Sequence, residues 1–346
     1  MNPLESQPTG KDFQLPVDVR NLNIIGKRVF RDDQKVSEVV ELKSGRFNTT
    51  YRMQAEDGET VVLRIAPDPL SEVYSHEQFL LRREHSVSAS LTHVVDQAPT
   101  FLYVDFTGQA IRRDFAILNY LEGENWGEVT SRLSSVDNLR LWNQLVEISA
   151  RINDVVGEGF GFPNPMPKSS SWSSALLNIQ NGMIQDLDKY SLDSTAPKEL
   201  AIVIRESESF LDSIEKPRLV HGDLWPKNIL IKEGDDGFHI SGVLDSERAF
   251  WGDPMAEWIV PGPQFAGAEA ADGATFRCGL FSADYEGIPN SISERYLPKN
   301  FEEFIRSQIY LGIYLTQRRL ESQRFPRSEE WIQKYFDDLL VSLKRA

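Results

Sequence analysis

The sequence predicts an α+β chain in two lobes, the first built on a mainly antiparallel sheet and the second mainly helical. Three observations carry this. From Val36 to Leu121 the chain reads mostly as strands joined by tight turns, and from about Trp126 onward it reads mostly as helices. The length, 346 residues, suits two domains or one large bilobal unit. There is no internal repeat and no long low-complexity tract.

Residues 1–20 hold three prolines and little periodicity, so a loosely held arm is expected there. The strand lobe then runs over 21–118. Upstream of its clearest hairpin lies "LKSGRFNTTYRM", where Gly45 sits between Ser44 and Arg46 and feeds a strand through Phe47. Such a turn lets backbone N–H groups approach a phosphate, though an ordinary glycine turn reads the same way. The hairpin itself is "TTYRMQAEDGETVVLRI", two alternating runs about Asp57-Gly58. Val61, Leu63 and Ile65 share one face of its second strand; Val62 and Arg64 share the other. An arginine inside so apolar a strand needs a counter-charge or a route to water.

"SEVYSHEQFLLRRE" reads as a helix with Ser71 as N-cap and Val73, Leu80 and Leu81 as its apolar stripe. Glu77 falls inside that stripe, where an unpaired carboxylate is costly. Arg64 and Glu77 are therefore expected to pair. The alternative is a snorkelling arginine and a glutamate at the rim. "GEGFGF" at Gly157 to Phe162 follows a helical segment rather than a strand, so it reads as a helix exit and not as a dinucleotide cradle.

The stretch "LVHGDLWPKNILI", Leu219 to Ile231, carries the chemistry. Beyond Asn228, Ile229 to Lys232 read as a strand, Glu233 to Gly237 as a turn and Phe238 to Leu244 as the returning strand. A hairpin puts its two ends side by side, so Asn228 and Asp245 meet at one end with Asp223 on the loop beside them. Hard oxygens gathered this way suit Mg²⁺. A base Asp, a metal Asn five residues on and a later metal Asp is the order found in phosphoryl-transfer sites.

Taken with SGRFNTTY, VVLRIAP, Glu77, AILNYLEGE, the FGFP…SW stretch, HGDLWPKNIL and VLDSERAFWGDP, the chain from about Glu38 to its end resembles the aminoglycoside phosphotransferase and choline kinase-like branch of the protein kinase-like fold. The HGD and GDP tripeptides mark this branch. Two departures stand out. Arg64 replaces the lysine of protein kinases, and a guanidinium there still pairs bidentately with carboxylate and phosphate. The glycine loop keeps only Gly45, with Arg46 where a second glycine is common.

The resemblance implies ATP as cofactor, with GTP as the alternative donor, and Mg²⁺. It implies Asp223 as base and Asn228 and Asp245 as metal ligands. Ser44, Gly45, Arg46, Phe47, Arg64 and Glu77 would serve the phosphates. Asn119, Tyr120 and Leu121 would form a hinge over 119–123 that meets the adenine, ahead of a helical lobe over 124–346. His221 would brace the loop by hydrogen bonding, Trp225 and Pro226 would stiffen it, and Trp225 is also a candidate floor for the acceptor pocket. Glu247 would orient the metal site from behind, and Asp253 would cap local backbone.

The acceptor is expected between about Ser171–Ile214 and Ala266–Gln323. Asp186, Asp188, Asp284 and Glu286 are candidates to meet an amine there. Trp172, Phe281, Tyr285 and Tyr310 are candidate walls, or core.

The expected activity is transfer of a γ-phosphoryl group to a hydroxyl of an amine-bearing antibiotic or natural product, in resistance or self-protection. The alternatives are a metabolic kinase for choline, homoserine, a ketoamine or a sugar, and an inactive nucleotide-binding module. The net charge of −15 suits a cationic small-molecule partner and disfavours nucleic acid. No apolar run approaches the roughly 18 residues that span a bilayer, so no membrane partner is expected. With Cys278 as the one cysteine and no signal peptide in MNPLESQPTGKDFQL, a cytoplasmic protein is expected.

Overall fold

The computed structural model describes residues 13–15, 17–30, 35–42, 47–258, 296, 298–324 and 329–345. Helix α1 (Val19–Gly26) leads into strands β1 (Val36–Leu42), β2 (Thr49–Ala55) and β3 (Thr60–Ile65). Helix α2 (Leu80–Val94), β4 (Phe101–Asp105) and β5 (Phe115–Asn119) complete the first lobe. Its sheet has the order β1-β2-β3-β5-β4, and every pairing is antiparallel.

The alternation of the β2–β3 hairpin decides which face is buried. Tyr51, Met53, Val61, Leu63, Ile65, Phe115 and Ile117 pack on one face, beneath Leu22 and Ile25 of α1. Val62, Ala116 and Leu118 turn the other way, toward Leu81 of α2. The turn falls on Asp57-Gly58: Gly58 has φ +94°, and Asp57 Oδ1 accepts from Glu59 N at 3.0 Å.

Two expectations for this lobe are corrected. The arm is not loose where it is described. Phe13 and Val17 are buried, Val17 N donates to the Tyr51 hydroxyl at 3.2 Å, and Asp18 caps α1 through Asn21 N at 2.8 Å. The helix expected from Ser71 begins only at Leu80, because Phe79 adopts a left-handed conformation (φ +57°) that breaks it. Before that point lies a 3-10 turn, Ser75–Glu77, and Glu77 Oε2 accepts from Tyr74 N at 2.8 Å. The segment is tied to the second lobe instead of coiling. The Tyr74 hydroxyl donates to Leu320 O at 2.9 Å, and Ser75 N donates to Asp186 Oδ2 at 2.7 Å.

The second lobe opens with β6 (Glu124–Asn125), α3 (Trp126–Val129) and α4 (Ser135–Asn153). After α5 (Trp172–Lys189), α6 (Thr195–Glu206), α7 (Glu208–Leu211) and β7 (Arg218–Val220) comes the hairpin β8 (Ile229–Gly234) and β9 (Gly237–Val243). Strand β10 (Phe250–Gly252) pairs with β7, and α8 (Phe301–Ser322) and α9 (Glu329–Arg345) follow. Helix α2 belongs to both lobes, since Val87 and Leu91 join α4 and the β8–β9 hairpin in a second core around Leu145, Ile229 and Val243. A third core unites α5, α6, α8 and α9.

The GEGFGF stretch is the expected helix exit. Gly161 then exchanges two backbone hydrogen bonds with Trp251 of β10, at 2.8 and 2.9 Å. Among the described residues no helix is long and apolar enough to cross a membrane.

In β10 a glycine packs directly against a buried aromatic ring. A Cβ on Gly252 would stand 2.4 Å from the indole of Trp172, itself 1% exposed. Gly252→Ala should therefore cost about 1–3 kcal/mol of stability through overpacking, read as a lowered denaturation midpoint in urea. An unchanged midpoint would show that Trp172 has room to move.

Candidate active site

The β8–β9 hairpin delivers what its spacing promised. Leu244 N donates to Asn228 O at 2.8 Å, so the two strand ends lie together. The turn is tighter than expected: β8 runs on to Gly234, and only Asp235 and Asp236 separate it from Gly237, whose φ is +102°. Asn228 sits at the end of a 3-10 turn, Pro226–Asn228, and its Nδ2 donates to Asp223 twice, to the backbone oxygen at 3.0 Å and to Oδ2 at 2.9 Å. That fixes the Asp223 carboxylate in rotation and leaves Oδ1 uncommitted to Asn228. Burial pushes the Asp223 carboxyl up to about 6, with Arg248 opposing the shift.

Asp245 stands at φ +69°, a left-handed backbone that ends the strand sharply. Its Oδ1 accepts from Arg64 Nη2 at 2.8 Å. The same nitrogen reaches Glu247 Oε2 at 2.9 Å, and Arg64 Nη1 reaches Glu84 Oε1 at 2.6 Å. One guanidinium thus faces three carboxylates. Burial, and after it the neighbouring Asp245, raises Glu84 to about 7 and Glu247 to about 8 against the pull of Arg64. A further cation beside Asp245 would relieve that surplus of carboxylates. With Nδ2 of Asn228 committed to Asp223, its carbonyl oxygen is the group left for a cation. Two hard oxygens plus phosphate and water suit Mg²⁺, so the donor set fits that ion.

The expected Arg64–Glu77 pair does not form. Arg64 is bound by Glu84, and Glu77 Oε2 is bound by Arg324 Nη1 at 2.5 Å. Glu84 is the residue that sequence reasoning missed. It lies among Leu81, Val87 and Leu91 on the buried side of α2, the same misfit that drew attention to Glu77 one segment too early.

Of the other site residues named from the sequence, Ser44, Gly45 and Arg46 lie outside the described residues. Phe47 is buried and stacks on Phe13 at 5.0 Å, forming an aromatic wall. Asn119 ends β5, and its Oδ1 accepts from Thr100 N at 2.7 Å, so its side chain closes the sheet. Tyr120 and Leu121 follow it out of the strand. Glu247, bonded to Arg64, also accepts from Asn48 Nδ2 at 2.7 Å.

His221 braces the loop in a different way. Its imidazole nitrogens have no partner among the described residues, and burial drives it down to about 4. The brace is its backbone. His221 N and Gly222 N both donate to Glu257, to Oε2 and Oε1 at 2.8 Å each. Asn153 Nδ2 adds a third donor at 3.2 Å. Asp253 caps Met255 N at 3.0 Å as expected, and it also anchors Arg306 and the Tyr310 hydroxyl.

A cleft opens beside Gly222. Its walls come from α5 (Trp172, Leu176, Ile179, Met183) and α8 (Tyr310, Ile313, Tyr314, Gln317), the two regions expected to flank the acceptor. The first lobe contributes Phe47, His76, Glu77, Leu80 and Arg83. Asp186 and Asp188 are not in it. Asp186 holds Ser75 N, and Asp188 accepts from Ser194 and Lys198 at 2.6 and 3.0 Å. Trp225 does not line the cleft either. Asp284, Glu286, Phe281, Tyr285 and Cys278 lie outside the described residues.

The sequence profile of the phosphotransferase enzyme family matches residues 38–260. No curated protein matches the chain. Among solved structures, a thermostable mutant of aminoglycoside phosphotransferase APH(4)-Ia, in a ternary complex with AMP-PNP and hygromycin B, superposes with a TM-score of 0.59 at 18% identity, over 89% of this chain and 95% of that one. A protein of Ralstonia eutropha JMP134, provisionally classed as an aminoglycoside phosphotransferase, gives 0.63 at 15% identity, over 95% and 99%. A Haemophilus somnus protein provisionally classed as a fructosamine-3-kinase gives 0.57 at 16%, over 92% and 95%.

Glu257 makes a pH test possible. Burial raises its carboxyl from 4.5 to about 7 against its three N–H donors. A folded-state pKa above the unfolded one means the native state holds the proton more tightly. The linked stability is full below 4.5 and is lost as pH rises through about 7. Glu257→Gln lacks this term. The stability of the parent minus that of the variant should therefore fall by up to about 3 kcal/mol between pH 4.5 and 8, followed by urea unfolding. A flat difference would mean that Glu257 stays ionised throughout.

Proposed function

Since the chain belongs to the phosphotransferase enzyme family, we propose that it is an ATP-dependent small-molecule kinase in which Asp223 is the base for an acceptor hydroxyl. The observation that carries this reading is the Asn228 amide bonded to Asp223 Oδ2, with Arg64 bonded to Asp245 across the lobes. The acceptor oxygen forms a bond to the γ-phosphorus, the bond from that phosphorus to the β-bridging oxygen breaks, and ADP leaves. The acceptor proton passes to Oδ1 of Asp223 late in a loose transition state.

Asn228 and Asp245 would hold Mg²⁺, which supplies neutralisation of the phosphate charge when bound. Arg64, anchored by Glu84, presents its remaining donor capacity to the nucleotide phosphates. Backbone groups of Asn119, Tyr120 and Leu121 meet the adenine in this reading, and Ser44, Gly45 and Arg46 cover the phosphates. GTP is the alternative donor. The related structure crystallised with AMP-PNP and hygromycin B supports a nucleotide donor and a small-molecule acceptor. The likeness to a fructosamine-3-kinase-like protein supports a metabolic hydroxyl acceptor equally well.

Asp223→Asn keeps the shape and the hydrogen bonding but removes the proton acceptor. It should fold, bind Mg-nucleotide normally and lose at least about a hundredfold in turnover, measured as ATP-dependent gain of one phosphoryl mass on an acceptor found by screening. Asn228→Ala and Asp245→Ala should weaken nucleotide binding as well. Near-normal turnover in Asp223→Asn would remove the base from the mechanism.

The corrected ion pair has its own test. Glu84→Gln should weaken Mg-nucleotide binding by about tenfold or more, while Glu77→Gln changes it by less than about threefold, in a calorimetric titration. The reverse order would restore Glu77 to the nucleotide side.

A further inference from the structure

The cleft beside Gly222 is built for something other than a polyamine. Its walls are largely apolar and aromatic, with Phe47, Phe162, Trp172, Phe250, Tyr310 and Tyr314 set among aliphatic side chains. The charged groups on its walls are Glu77, Arg83 and Arg248, with His76 held neutral by burial that drives it down to about 3. Glu77 is neutralised by Arg324, and Arg248 is paired with Glu321 at 3.2 Å.

Arg83 remains. It is 1% exposed, its guanidinium lies 3.8 Å from the ring centre of Phe162, and Nη1 donates to His76 O at 2.8 Å. Its Nε is buried with no partner, and among the described residues no carboxylate lies within ion-pair distance of it. Burial lowers it only to about 9, so it is still a cation at neutral pH. Among the described residues the carboxylate that Arg83 feels, Glu247, lies beyond ion-pair distance and is bonded to Arg64 and Asn48, so the buried cation is poorly compensated, and that cost is relieved when a ligand brings an anion. No unpaired carboxylate among the described wall residues awaits an ammonium group.

We propose that this cleft is the acceptor site and that it takes an apolar hydroxyl compound bearing a carboxylate, which Arg83 receives against the Phe162 face. This rests on the kinase reading above, because the hydroxyl must reach Asp223 beside Gly222. The apolar body fills the α5–α8 walls, and the product is a phosphate monoester of a hydroxy acid.

The test reads binding without turnover, so it is independent of whether transfer is observed. The probe is the apolar anion 8-anilinonaphthalene sulfonate, whose fluorescence rises in a dry site, with ω-hydroxydecanoate, its amide, ω-aminodecanol and kanamycin as competitors. The hydroxy acid should displace the dye at a concentration at least about tenfold below that needed for the amide or the amino alcohol, and kanamycin should not displace it. In Arg83→Gln the advantage of the acid should shrink to less than about threefold, while the amide and Mg-nucleotide binding are unchanged.

Ile179→Glu, at a partly exposed position in the same wall, gives a second variant that leaves Arg83 in place. It should weaken the acid and the dye more than the amino alcohol. Displacement by kanamycin ahead of the acid would overturn the proposal. So would an equal loss for acid, amide and nucleotide in Arg83→Gln, which would place that guanidinium at the transferred phosphate. Loss of nucleotide binding by the parent protein would sink the kinase reading while leaving the order of competitors to judge this one.

Discussion

One guanidinium holds the site together. Arg64 projects from the middle strand of the sheet and binds a carboxylate of α2 with one nitrogen and two carboxylates of the second lobe with the other. Sheet, helix and the segment after β9 are thereby fixed relative to one another by groups that are mostly buried. Breaking such a cluster from one side leaves uncompensated charge behind, which is far more costly than losing an exposed ion pair. The cluster is also unbalanced, with three carboxylates to one guanidinium, so it is complete only when another positive charge arrives.

The second anchor is Glu257, which does for the loop what Arg64 does for the lobes. Two consecutive backbone N–H groups, those of His221 and Gly222, point at one carboxylate, and Asn153 of α4 joins them. Gly222 has φ +77°, and a Cβ there would stand 2.7 Å from Arg248 O. The loop can thus turn sharply against the Arg248 segment only with glycine at that position. The result is that Asp223, the next residue, is held by structure on both sides: Glu257 before it and Asn228 after it. In the proposed reaction a carboxylate so positioned needs little reorganisation when a hydroxyl arrives.

The parts legible in the sequence are those set by neighbours along the chain. The β2–β3 hairpin was legible because Asp57-Gly58 and strict alternation specify register locally. The β8–β9 hairpin placed Asn228 beside Leu244 for the same reason. The ion pair was legible in kind but not in partner. A buried carboxylate on an apolar helix face was the right signal, and two glutamates of one segment, Glu77 and Glu84, both satisfy it. Only the left-handed Phe79, and the bonds from Tyr74 and Ser75 to the second lobe, decide that Glu84 is in the helix and Glu77 is before it. Those bonds span more than a hundred residues, and no local pattern announces them. Helix α1 was hidden for a related reason, since eight residues are too few to show a period.

The cleft beside Gly222 shows the same limit from the side of charge. A net charge of −15 suggests a cationic ligand, but net charge is a property of the whole surface. Asp186 and Asp188 spend their carboxylates on Ser75 N, Ser194 and Lys198, holding segments together. The cleft itself keeps an arginine, Arg83, with no carboxylate within ion-pair distance among the described residues. Where acidic residues are consumed by structure, the local field at the binding site can be opposite in sign to that of the molecule. The field at a wall is then set by which charge lacks a close partner there, Arg83 in this cleft, and not by which sign is more abundant over the surface.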